Sequence, residues 1–163
     1  WAASFWTLEW CIEGWHRPEQ DTLDHDLFRI GSILSCSRSS TVKRINVNCT
    51  DLNSSSYGIS SSTDSNPSDA WRYFAFVRDN DGPTTTLRLY VGPEGGTAVQ
   101  DGTEPGIALT DAIGGPTSSP KEVNGYLGNR NAGRFGPFRF TIGSSRYPGG
   151  TSFPVPTGPW PSQ

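Results

Sequence analysis

Two carboxylates near the start of the chain are of the residue type that acid and base chemistry requires. Glu9 and Glu13 lie in and just after the alternating stretch WTLEWCI at residues 6–12, so an extended strand would carry both on one face. Paired carboxylates hydrolyse glycosides when one serves as acid and the other as nucleophile or base. The alternative, which we favour, is that both are exposed carboxylates of a half-buried strand.

Other catalytic patterns receive no support from the sequence. There is no Gly-x-Ser-x-Gly segment, and both histidines, His16 and His25, fall in what we predict to be an acidic early loop, so a serine hydrolase is not expected. The GPEGG segment at residues 92–96 is predicted to be a turn rather than a phosphate loop, because no Lys-Ser or Lys-Thr follows it.

The cysteines and one acidic turn are the candidates for metal binding. Cys11, Cys36 and Cys49 have neither CxxC spacing nor an even count, so we predict buried, unreactive thiols and a reduced assembly environment. Asp79 and Asp81 flank Asn80 in DNDGP, and Ca²⁺ needs six or more oxygen ligands. We interpret DNDGP as turn chemistry and leave calcium open, with no other cofactor expected.

A carbohydrate site would need an exposed aromatic ring beside amide or guanidinium donors, because a sugar has an apolar face and a rim of hydroxyls. Several predicted loops contain such groups, and for each aromatic the competing role is packing within the protein. The candidates are Trp15, Tyr57, Tyr126, Asn129 and Arg130, with His16 and Asn131 beside them. Tyr126 and Arg130 are the preferred pair.

The elements that must position these residues are short strands within a single domain. The 163 residues include 19 Gly and 13 Pro, with much of the apolar content in six Trp and eight Phe, which favours strands and turns over helices. The net charge of -3 provides no basic field, so nucleic acid is not an expected partner. No apolar run approaches the roughly 18 residues that span a bilayer, so no membrane insertion is expected.

Alternation of apolar and polar residues recurs along the chain and predicts eight or nine strands without a helix. Strand candidates are residues 6–12, 27–34, 41–48, 70–78, 86–91, 123–129 and 135–143, with residues 107–113 as a possible short strand or helical turn and 53–69 as a possible edge strand. Residues 70–78 are apolar on both faces, which predicts a central strand, and they form a predicted hairpin with 86–91. We predict a turn at SCSRSS, an exposed loop or edge strand at 53–69, and a loop at 92–106. This pattern predicts an all-β fold of two packed antiparallel sheets.

The Gly/Pro-rich tail retains large apolar residues, which a flexible linker usually lacks. We therefore predict that residues 147–163 form a strap packed on the same domain, with Tyr147, Phe153 and Trp160 at least partly buried. The alternative is a Pro-rich linker to a following domain.

The order of these segments resembles the concanavalin A-like lectin/glucanase superfamily, in the laminin-G-like form found in bacteriophage virion proteins. The segments are FWTLEWCI, WRYFAFVRDNDG, TLRLYVG, YLGN and the closing FRFTIGSSRYPGGTSFPVPTGPWP. The closing motif resembles that of the phage form, with Ile142, Gly143, Arg146, Tyr147, Phe153, Pro156, Thr157 and Pro159 in the matching order. The resemblance extends from Trp6 to Pro161. It implies a jelly-roll β-sandwich over residues 1–146, followed by the strap.

The resemblance also implies a function. Glucanases of the superfamily carry Glu-x-Asp-x-Glu on one sheet, whereas here Cys11 replaces the Asp between Glu9 and Glu13. We therefore expect a non-enzymatic structural or adhesion module on the virion surface, in a tail fibre, spike or capsid decoration. Its expected partners are other virion proteins or copies of itself, with host-surface glycan as a further ligand. The alternative is a glycan-hydrolysing enzyme with a degenerate Glu9/Glu13 site.

Overall fold

A computed structural model describes residues 8–20, 22, 24–30, 34–50, 56–81, 84–108, 125–127, 133–147 and 152–157. Across these ranges the chain forms strands and turns, and no helix is long and apolar enough to cross a membrane. The strands are β1 (Trp10–Pro18), β2 (His25–Ile30), β3 (Leu34–Arg38), β4 (Ile45–Thr50), β5 (Ser56–Ser60), β6 (Arg72–Asp81), β7 (Thr84–Pro93), β8 (Thr97–Ala108), β9 (Gly125–Leu127), β10 (Gly133–Ile142) and β11 (Phe153–Pro154).

The strands form two antiparallel sheets. A six-stranded sheet has the order β10-β1-β6-β7-β8-β11, and a five-stranded sheet has the order β5-β4-β3-β2-β9. The buried core between them draws on both sheets, for example Trp10, Phe74 and Phe76 from the first and Phe28 and Val47 from the second. The predicted all-β architecture of two antiparallel sheets is therefore confirmed as a β-sandwich.

The two faces of the six-stranded sheet bury different residues because successive side chains of a strand point in opposite directions. On β6, Phe74 and Phe76 enter the core between the sheets, whereas Tyr73, Ala75 and Val77 lie on the opposite face, in a second buried cluster. We call this second group the outer cluster. Its other members are Cys11, Trp15, Tyr90, Ala98 and Val155, with Trp71, Tyr147 and Phe153 packed against it.

The predicted hairpin and central strand are confirmed. Strand β6 pairs with β7 from Arg72↔Pro93 to Asp81↔Thr84, and it lies between β1 and β7 in the sheet. The prediction of an exposed loop or edge strand at residues 53–69 is also confirmed, since β5 lies at the edge of the five-stranded sheet.

Two predicted non-strand segments are in fact strands. The SCSRSS segment was assigned to a turn from its serines, but β3 runs through it with Leu34, Cys36 and Arg38 buried and the intervening Ser35 and Ser37 less so. Residues 92–106 were assigned to a loop, but β8 extends over Thr97–Ala108 because β7 supplies a backbone partner along most of its length. In both cases, pairing with a neighbouring strand outweighs the preference of serine, glycine and proline for turns.

Part of the tail lies on the six-stranded sheet. Phe153 and Pro154 pair with Ala98 and Thr97 of β8, and the Val155 amide donates to the Gly96 carbonyl at 3.0 Å. Val155 itself is buried in the outer cluster. Trp160 lies outside the described residues, and the division of the chain at residue 146 stays a prediction.

Candidate functional site

Glu13 lies at the centre of the outer face of the six-stranded sheet. On β1 it is paired across from Arg139 of β10 on one side and Ala75 of β6 on the other. The prediction that Glu13 is an exposed strand carboxylate is wrong, because its exposed fraction is 0%. The reason is tertiary: residues 145–147 of the tail approach this face and contact the Glu9 and Glu13 side chains.

Two arginines neutralise the buried carboxylate. Arg139 donates from Nε to Glu13 Oε1 at 2.7 Å, and a second guanidinium nitrogen of Arg139 lies 2.6 Å from the same oxygen. Arg146 Nε, from the tail, lies 3.3 Å from Oε1. A buried carboxylate needs such partners, because an unpaired charge away from water is strongly unfavourable.

Two phenols satisfy the other oxygen of Glu13. The Tyr73 hydroxyl donates to Oε2, and the Tyr147 hydroxyl donates to the same atom at 2.8 Å. Burial, reinforced by the nearby charge of Glu13, raises the pKa of Tyr73 and of Tyr147 above the ordinary value for tyrosine. We call Glu13, Arg139, Arg146, Tyr73 and Tyr147 the Glu13 network. Both carboxylate oxygens are thus engaged by the protein's own side chains.

Glu9 lies on the same face and is also engaged. Its Oε1 accepts a hydrogen bond from the backbone N–H of Asn80 at 3.3 Å, and its Oε2 accepts one from the backbone N–H of Ser145 at 3.1 Å. Between the two glutamates, Cys11 is fully buried, and burial followed by the charge of Glu13 raises the pKa of its thiol. Cys11 is therefore a neutral thiol, and the two glutamates on either side of it hold residues 145–147 against this face.

The remaining cysteines and histidines are also inside the fold. Cys36 and Cys49 are buried, like Cys11, which confirms the prediction of buried cysteines. The two histidines were placed in an acidic loop, and this is wrong: His16 lies in β1 and His25 in β2, both fully buried, with ring centroids 5.5 Å apart. The bulge in β1 between Gly14 and His16 lies beside this pair.

The DNDGP segment uses its side chains within the hairpin. Asp79 accepts from Arg88 at 2.6 Å, and both are nearly buried. Asn80 accepts from the Thr85 hydroxyl at 3.2 Å. Within the described ranges, no group of three or more His, Cys, Asp or Glu side chains is placed to hold a metal ion. The interpretation of residues 79–81 as a turn is wrong, because β7 pairs with them and extends β6 to Asp81, while residues 82–83 lie outside the described residues.

The candidate carbohydrate residues that the structure describes lie on three different strands. Trp15 and Tyr57 were assigned to loops, which is wrong: Trp15 lies in β1, with 8% exposure, and Tyr57 lies in β5, half-buried against the core between the sheets. Tyr126 lies in β9, paired with Arg29 of β2. Asn129 and Arg130 lie outside the described residues.

Trp15 instead borders a groove at the end of the six-stranded sheet. The groove encloses about 370 Å³, and its lining includes Trp15, Trp71, Glu94, Pro137, Pro156 and Thr157. We call it the Trp groove. Its walls come from β1, from the residue preceding β6, from the β7–β8 turn, from β10 and from the tail. Sequence reasoning missed Trp71, Glu94 and the tail residues of this site.

Gly136 brings the groove's two indoles close to β10. A Cβ atom at Gly136 would lie 2.8 Å from Trp15 Cβ, which is too close, and 3.6 Å from Trp71 Cζ3, which is ordinary contact, so the position of Trp15 requires glycine here. The signal in the sequence was the pair Gly136-Pro137 inside an otherwise aromatic strand, since a glycine in a strand often marks a close approach.

Comparison with known proteins adds no assignment. No family model matches the chain, and no curated protein matches it at a significant level. Arguments about function therefore rest on the geometry of the Trp groove and the Glu13 network.

Proposed function

We propose that this domain is a non-enzymatic adhesion module of a bacteriophage particle that holds host-surface glycan in the Trp groove. The single observation that supports this is the groove itself: two indoles lie beside a carboxylate in a cleft of about 370 Å³. Indole faces cover the apolar face of a sugar ring, and a carboxylate accepts hydrogen bonds from its hydroxyls.

The placement of the groove favours binding over packing. Trp71 is half-exposed, and Glu94 and Thr157 are exposed, so the lining combines an accessible aromatic surface with polar groups at the rim. Strands, a tight turn and the paired tail hold these residues, so little conformational entropy is lost when a ligand binds.

The Glu13 network supports the non-enzymatic part of the proposal. Hydrolysis requires one carboxylate to donate a proton and the other to act as nucleophile or base. Glu13 is buried under the tail with an arginine pair and two phenols on its oxygens, and Glu9 accepts from backbone amides. Neither is free to reach a substrate without displacement of the tail.

The particle-level part of the proposal follows from the closing motif and the two-sheet architecture. A jelly-roll, concanavalin A-like sandwich is the finer topology we propose, with the domain on the virion surface in a tail fibre, spike or capsid decoration. Other virion proteins or copies of the chain are the proposed partners. Imaging of the parent particle with an antibody to this domain tests that position, and labelling inside the head would contradict it.

Binding of a panel of host-surface glycans, followed by intrinsic tryptophan fluorescence, tests the proposed function. We expect saturable binding that Trp71→Ala weakens at least about tenfold, because one stacked indole is worth roughly 1.4 kcal/mol or more. Tyr57→Ala, which removes an aromatic outside the groove, is the matched control and leaves binding unchanged. Release of reducing sugar that Glu13→Gln abolishes would instead establish the enzymatic alternative.

A further inference from the structure

The charge of the Trp groove narrows the class of sugar that it can hold. Glu94 is the charged side chain among the described residues that line the groove, and neither lysine nor arginine is among them. The carboxylate is exposed at the β7–β8 turn. The formal charge of the lining is therefore that of one carboxylate, which disfavours uronic acids, sialic acids and phosphate groups.

The two indoles that line the groove also favour positively charged groups. The face of an indole carries negative charge density and attracts an ammonium group placed within about 6 Å of the ring. In this groove the Trp71 indole comes within 3.6 Å of the position that a Cβ atom at Gly136 would occupy, and Trp15 Cβ lies 2.8 Å from the same position. Two indoles and one carboxylate are complementary to a cation attached to an apolar ring.

The backbone around Glu94 keeps its carboxylate accessible. Gly95 has φ of 67°, and a Cβ atom at this position would meet nothing within 4 Å, so the turn leaves open space beside Glu94. On the same sheet, Glu13 and Asp79 are buried and are paired with Arg139 and Arg88, respectively. Glu94 therefore differs from them in facing solvent at a cleft.

We infer that the Trp groove selects amine-bearing sugars, in which a protonated amino group lies near Glu94 and the sugar ring packs on Trp71. This inference rests on the proposed glycan-binding function and specifies its ligand class. It assigns Glu94 the role of selecting charge and Trp71 the role of holding the ring.

Isothermal titration with two matched probes tests this inference: glucosamine oligomers, which carry free amines, and N-acetylglucosamine oligomers of the same length, which are neutral. At mildly acidic pH, where the amines are protonated, we expect the glucosamine oligomer to bind more tightly. Glu94→Gln should reduce that preference about two- to fivefold, as expected for an exposed ion pair. Added salt should reduce it as well.

Matched variants separate the two levels of the proposal. Asp64→Asn removes an exposed carboxylate outside the groove and should leave the preference unchanged. Trp71→Ala should weaken both probes. Equal affinity for the two probes, with Glu94→Gln silent and Trp71→Ala still weakening binding, would overturn the inference and leave glycan binding intact. Failure of both probes to bind, together with no binding across the glycan panel, would overturn both.

Discussion

The Tyr147 hydroxyl donates a hydrogen bond of 2.8 Å to Glu13, although the two residues are 134 positions apart in the chain. This bond joins the tail to the centre of the six-stranded sheet. The Tyr147 ring also stacks on Phe153 with centroids 3.7 Å apart and planes 5° from parallel. Tyr147 therefore connects a buried charge on one side to an apolar contact of the tail on the other.

Replacement of Glu13 by Gln should destabilise the protein strongly. The amide keeps the shape of the side chain but leaves Arg139 and Arg146 without the negative charge that compensates them. Loss of one partner from a buried ion pair typically costs about 3 to 5 kcal/mol, and we expect the lower end because Arg146 is partly exposed. Urea denaturation monitored by tryptophan fluorescence measures the change.

Glu9→Gln is the matched control for that experiment. The side-chain oxygen of the new Gln can still accept a hydrogen bond from the backbone N–H of Asn80 or Ser145. We therefore expect the free energy of unfolding to fall by roughly 1 kcal/mol or less. Equal effects of the two substitutions would contradict the central role of the Glu13 network.

Stability should fall at alkaline pH through Tyr73 and Tyr147. Burial and the charge of Glu13 raise the pKa of both phenols in the folded protein. In the unfolded chain, tyrosine ionises with a pKa of about 10. Their contribution is therefore complete below about pH 10 and is lost as the pH rises toward the folded-state pKa, with a slope of about 1.4 kcal/mol per pH unit for each phenol.

Melting temperature as a function of pH, with tyrosinate absorbance recorded in parallel, checks this prediction. Tyr147→Phe removes one of the two phenols and should make the alkaline decline less steep, even though it also lowers stability at neutral pH. Full ionisation of every tyrosine while the protein remains folded would show that the phenols of the Glu13 network are accessible to solvent.

Truncation after Gly143 should destabilise the domain by roughly 3 kcal/mol or more. The deletion removes Val155 and Phe153 from the outer cluster, and it removes the Arg146 and Tyr147 contacts to Glu13. It also leaves the edge of β8 unpaired at residues 97–98, which favours self-association. Denaturation curves and size-exclusion chromatography measure both effects. A flexible linker predicts the opposite, an unchanged melting temperature.

Gly136→Ala should distort the Trp groove. The added methyl would lie 2.8 Å from Trp15 Cβ, which is closer than two carbon atoms can approach, so the β1 and β10 strands must shift. We expect a loss of about 1 to 3 kcal/mol and a change in tryptophan fluorescence.

Gly95→Ala is the control on the same groove. Its φ of 67° gives a modest backbone cost of roughly 1 kcal/mol, but the added methyl meets no atom within 4 Å. A fluorescence change as large as that of Gly136→Ala would contradict the role assigned to Gly136.

The sequence determined those features that depend on local alternation and on strong turn signals. Residues 70–78, which are apolar on both faces, and the alternating residues 86–91 lie on either side of DNDGP, and together they specified a central hairpin. The all-β class followed from the same kind of signal. The SCSRSS segment and β8 were missed because serine, glycine and proline are typical of turns, whereas neighbouring strands supply the hydrogen bonds that make these segments strands.

Tertiary structure alone decided the environment of each candidate residue. Alternation placed Glu13 on the face opposite the core, and from sequence that face is expected to meet water. In the fold the tail lies over it, with Tyr147 and Arg146 on the carboxylate. The Trp groove likewise combines residues from β1, the β7–β8 turn, β10 and the tail. Local sequence determines which way a side chain points from its own strand, whereas burial, charge compensation and clefts depend on segments distant in the chain that come to lie against it.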